Sequence, residues 1–97
     1  ASIGPGKVAL LEQIAAHGSL SQAARVLGMS YRRAWLLLDD INNSFAEPAV
    51  VTATGGRHGG GAQLTAFGEE LITRYRELEQ ATEKQAARKL ARVAARA

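Results

Sequence analysis

The chain has no cysteine, so it can form neither a disulfide nor a thiolate metal site, and its two histidines alone do not make a metal centre. Aromatics are scarce, five in 97 residues, so a core must come mainly from Leu, Ile, Val and Ala. No apolar run approaches the roughly 18 residues that a membrane-crossing helix needs, and no charged-then-apolar signal segment opens the chain. The phosphate-cradling patterns G-x-x-x-x-G-K-[ST] and strand–GxGxxG–helix are missing, so the glycines do not spell a nucleotide loop. Catalytic constellations are missing too. Asp39 and Asp40 are adjacent and project to different sides of a helix, where they are expected to tune surface charge or pair with Arg. Asn42-Asn43-Ser44 matches a glycosylation sequon in spelling only. These absences leave a small, soluble, cytoplasmic chain that is not an enzyme, takes no cofactor or metal and has no membrane partner. The net charge of +3 leans toward an anionic partner.

What is present is a run of helix punctuation. Pro5 pre-sets φ for a first helical turn, Val8, Leu11, Ile14 and Ala15 recur at helical spacing through residue 16, and His17-Gly18 closes the element. Ser19-Leu20-Ser21-Gln22 reads as a capping box, which starts a second, short helix at Leu20 that ends at Gly28. Ser30 can cap a third helix with Ala34, Leu37, Leu38, Ile41 and Phe45 on one face, stopped by Pro48. A helix-turn-helix needs a small residue where its helices cross and, four positions later, one that tolerates positive φ. Ala24 and Gly28 supply that pair, and Ala34 and Leu37 lie where the later helix faces the earlier one. Any single Ala or Gly is weak, and an ordinary helical hairpin shares the small-residue crossing.

The wing separates the two readings. Val50 to Thr54 is β-branched and reads as a strand, Ala62 to Thr65 as its return partner, and residues 55–61 as a glycine-rich tip. A recognition helix beside a ribbon fits the grooves of duplex DNA. The expected fold is thus mainly α with a small β-hairpin, a winged helix-turn-helix over residues 1–65. A long helix follows over 66–97, with Thr65 as its N-cap and Glu69 and Glu70 in its early turns.

Candidate contacts follow from this layout. Arg32 and Arg33, flanking the buried Ala34, suit the O6 and N7 edge of guanine, against the plainer reading of two solvated arginines. Tyr31 can stack on a base or bond to a base edge or phosphate. Trp35 is expected to pack against the wing or first helix, with DNA contact as the alternative. Ser19, Ser21 and Gln22 first cap their helix, and the same hydroxyls and N–H groups suit a phosphate; Ser30 is placed with them. At the wing tip, Arg57 fits a narrow minor groove, with His58 beside it. The long helix carries Leu71, Tyr75, Leu78 and Thr82 at 4-3-4 spacing, a stripe expected to dimerise against a second copy. Its last fourteen residues hold five basic and no acidic side chains, which suit a solvated helix end or a contact to phosphate or partner.

GSLSQAARVLGMSYRRAWLLLDDIN followed by ATGGRHGGGAQLTAFGEELI resembles the N-terminal DNA-binding domain of the ModE family of molybdate-responsive transcriptional regulators. The resemblance covers roughly residues 5–80; the LysR-type domain is the nearest relative, and SY-x-x-AW with the long glycine tip favours ModE. It implies a winged helix, a homodimer joined by the long helix, a pseudo-palindromic double-stranded DNA operator, and contacts at Tyr31, Arg32, Arg33 and the wing around Arg57. Full-length members add a molybdate-binding module; this sequence shows a basic, Ala-rich helix and no recognisable oxyanion pocket, as expected of either a single-domain member or a fragment. The alternative is a winged-helix adaptor that binds protein, not DNA, which an apolar rather than basic recognition face would favour.

Overall fold

The computed structural model describes residues 3–53 and 61–96. Helix α1 spans Pro5–His17, with Pro5 opening its first turn, and Gly18 ends it at φ 64°, its N–H donating to the Ile14 carbonyl at 2.7 Å. Helix α2, Leu20–Val26, is capped by the Ser19 hydroxyl oxygen, which accepts from the Gln22 N–H at 3.2 Å. Gly28, at φ 67°, makes the turn, a conformation that costs a side-chain-bearing residue about 1–2 kcal/mol. Helix α3, Tyr31–Asn43, starts where Ser30 Oγ accepts from the Arg33 N–H at 3.1 Å. It stops two residues short of Phe45, because Ser44 folds back to bond to Asp40 O and Ile41 O. Phe45 packs instead edge-to-face against Phe67, with centroids 5.3 Å apart.

Strands β1 (Val50–Thr52) and β2 (Ala62–Leu64) pair antiparallel, with Val50 opposite Leu64 and Thr52 opposite Ala62. The return strand ends one residue before the expected Thr65, since that residue caps the next helix. Its hydroxyl accepts from the Gly68 N–H at 3.0 Å and donates to the Pro48 carbonyl at 2.7 Å. Helix α4 then runs from Ala66 to Arg96.

One core joins these elements: Leu10, Leu11 and Ile14 of α1, Leu20, Ala23 and Ala24 of α2, Ala34, Leu38 and Ile41 of α3, and Ala49, Val50 and Ala62 around the hairpin. Ala24 is buried as a helix crossing requires, and Leu37 lies at the core margin. α4 enters this body through a close approach at Gly68, where a Cβ would sit 2.2 Å from the Ala49 carbonyl oxygen. Phe67, Leu71 and Ile72 pack onto the core, and Arg76 gives the last tie, hydrogen-bonding Glu12 of α1 and Glu79 of its own helix. From Gln80 to Arg96 every residue is exposed. The last twenty residues of α4 therefore project about 30 Å past that tie, at 1.5 Å per residue.

Candidate nucleic-acid interface

Helix α3 buries one side and offers the other. At about 100° per residue, Ala34, Leu38 and Ile41 cluster inward, which turns Arg32, Leu36, Asp39 and Asn43 outward, with Arg33 and Asp40 on one flank and Tyr31 and Trp35 on the other. Arg32 and Arg33 are exposed and take part in no ion pair among the described residues, so both guanidinium groups keep their donors for another molecule. Trp35 is 39% exposed and meets Tyr31 edge-to-face, with centroids 6.4 Å apart. Positions 31 and 35 lie one turn apart on α3, which brings the two rings together.

The acidic pair on α3 also finds an unexpected partner. Asp40 pairs with Lys7 of α1 rather than with an arginine, because the first turn of α1 lies beside the latter half of α3. That contact engages the flanking carboxylate, while Asp39 stands exposed on the outward side. Ser21 and Gln22 are exposed at the start of α2, with Ser19 half-buried behind them. Arg57 and His58 lie outside the described residues.

Two residues with no role in the sequence reading matter here. The Asn42 amide joins α3 to the wing: Oδ1 accepts from the Ala49 N–H at 2.9 Å and the Val50 N–H at 3.2 Å, and Nδ2 donates to the Val50 carbonyl at 3.0 Å. One side chain thus satisfies the backbone entering β1 as a neighbouring strand would, and fixes the wing's base against α3. The sequence offers no signal for this, since an Asn near a helix end reads as turn chemistry. Leu36 is 61% exposed at the middle of the outward face. A signal existed there: three consecutive leucines, 36 to 38, cannot all face one core at helical spacing.

Electrostatics around the base of α4 are dominated by the Glu12–Arg76 pair. The Arg76 hydrogen bond holds the Glu12 carboxyl below the usual carboxylate range, against a smaller opposing effect of desolvation. Arg76 is correspondingly raised by its bonds to Glu12 and Glu79. Leu71 and Tyr75 are half-buried, and Leu71 packs on its own chain's core, whereas Leu78 is 65% exposed.

Residues 6–69 match the family described as bacterial regulatory helix-turn-helix protein, lysR family. The chain belongs to that family. Within it the likeness is to ModE-type regulators. The chain is 47% identical over 73 residues to the molybdenum transport protein ModE of Azotobacter vinelandii, covering 75% of this chain and 27% of that protein. It is 49% identical over 71 residues to the transcriptional regulator ModE of Yersinia pestis, covering 73% of this chain and 27% of that one. The chain thus spans about a quarter of the curated relatives it matches. Among solved structures, the CbnR_DBD–DNA complex superposes with a TM-score of 0.67 at 17% identity, over 92% of this chain and 97% of that one. At that identity the likeness speaks for the fold alone, a winged helix-turn-helix.

Proposed function

We propose that this chain is the sequence-reading part of a ModE-type transcriptional regulator, binding double-stranded DNA as a homodimer in the cytoplasm. The observation that carries the reading is the exposed side of α3, where Arg32 and Arg33, in no ion pair among the described residues, stand on a helix that Ser30 caps and Asn42 ties to the wing. Arginine's fork of donors matches guanine in the major groove, and a helix of this diameter fits that groove. Tyr31, Trp35, Ser19, Ser21, Gln22 and Ser30 would surround the groove contacts with bonds to phosphate and sugar, and Arg57 and His58 would enter the neighbouring minor groove.

Dimerisation falls to the projecting part of α4. Leu78, Thr82, Ala86, Leu90 and Val93 lie within about 120° of one another around the helix, and the three large ones are exposed. Residues 66–83 hold five glutamates and two arginines, whereas 84–97 hold five basic residues and no acidic one. Pairing two α4 helices antiparallel would set each acidic half against the other copy's basic half.

The test is duplex binding by wild type and by the Arg32→Ala/Arg33→Ala double variant across a salt series. Each lost bidentate contact should remove about 1–3 kcal/mol of discrimination, leaving salt-dependent binding without sequence preference. Unchanged discrimination would remove α3 from the reading role. No duplex binding by wild type would favour a protein-binding adaptor.

A further inference from the structure

Leu36 stands at the centre of the α3 outward face, 61% exposed, one turn from Arg32 and one turn from Asp39. Its neighbours on that face and its flank, Arg32 and Asp39, then Arg33 and Asp40, are all charged and exposed, while Leu37 and Leu38 turn inward. Leucine has no hydrogen-bond donor or acceptor, so it is blind to most of what a base edge offers in the major groove. The one feature it can recognise there is the C5-methyl group of thymine.

We propose that Leu36 is a specificity-determining residue that reads a thymine methyl group in each half-site. The inference rests on the DNA-binding reading above. Arg32 and Leu36 are four residues apart, about 6 Å along the helix axis. A base-pair step is about 3.4 Å, so a helix lying along the groove puts the Leu36 thymine about two base pairs from the Arg32 guanine. Leucine is short, so the methyl contact also requires that α3 enter the groove deeply. The edge-to-face pair of Tyr31 and Trp35 stands to one side of this line, which leaves the path to the base edge open.

Replacing thymine by uracil removes the methyl group and leaves every hydrogen-bonding edge unchanged. An operator is first selected from random duplexes with the wild-type chain, and each thymine in it is then replaced singly by uracil. The expected result is one position per half-site, about two base pairs from the guanine whose preference depends on Arg32, where wild-type affinity falls about three- to fivefold, the size of one buried methyl group. Leu36→Ala should bind the thymine and uracil duplexes equally. Its unchanged melting temperature would show that the fold is intact, since alanine suits an exposed helix position.

An operator at which wild type is indifferent to every uracil, or at which Leu36→Ala keeps the full penalty, overturns the proposal and leaves the DNA-binding reading standing. A selection that enriches no sequence overturns both.

Discussion

Replacing Asn42 with Ala tests the join between α3 and the wing. The substitution deletes three hydrogen bonds, at 2.9, 3.0 and 3.2 Å, and strips partners from the N–H groups of Ala49 and Val50 and from the Val50 carbonyl. Both residues are buried, so their side chains cannot move out to let water take over fully. Each bond contributes about 0.5–1.5 kcal/mol net, and part of the loss is recovered by solvent at a half-buried site, which sets the expected cost at about 2–3 kcal/mol. For a domain of this size that lowers the melting temperature by roughly 10–20 °C. Urea and thermal unfolding followed by circular dichroism measure it, with Asn43→Ala as control. Asn43 is exposed on the same turn, so its loss should change stability by no more than about 0.5 kcal/mol. Equal stability of the two variants would refute the claim that Asn42 holds β1 against α3.

Gly68→Ala places a Cβ 2.2 Å from the Ala49 carbonyl oxygen. Both sides of that contact are backbone, so we expect a loss of about 1–3 kcal/mol or more, read as a lower urea midpoint. The Glu12–Arg76 pair gives a pH signature. The Glu12 carboxyl is depressed in the folded state, so its stabilisation is present above the ordinary glutamate range and is lost as pH falls through the depressed value. Glu12→Gln should flatten the acid side of the melting-temperature profile and leave its neutral-to-alkaline shape unchanged. Replacing Leu78 and Val93 together with Glu should give folded monomers in sedimentation, because both side chains are exposed within one chain. Persisting dimers would place the interface elsewhere.

The helix starts were legible because capping is local chemistry: Pro5, Ser19, Ser30 and Thr65 each mark an element boundary with their own ring or hydroxyl. The left-handed turns at Gly18 and Gly28 were legible for the same reason. What escaped the sequence depends on which surfaces meet. Phe45 fitted the periodicity of α3, yet packs on Phe67, because a bond from Ser44 back to Asp40 ends the helix first. Asp40 met Lys7, 33 residues away, a partner that no local pattern fixes. Asn42 is the clearest case, since its partners at Ala49 and Val50 are set by where the chain returns. On the candidate interface, the arginines were readable from residue type and position, whereas Leu36 became visible once its neighbours 37 and 38 were placed inward.

The most direct test of a dimeric DNA reader is selection of binding sites from random duplexes with the purified chain. The expected outcome is a two-fold-related motif whose half-site centres lie a whole number of helical turns apart, about 34 Å per turn. Enrichment of no motif, or of a lone half-site without a symmetric mate, would contradict it.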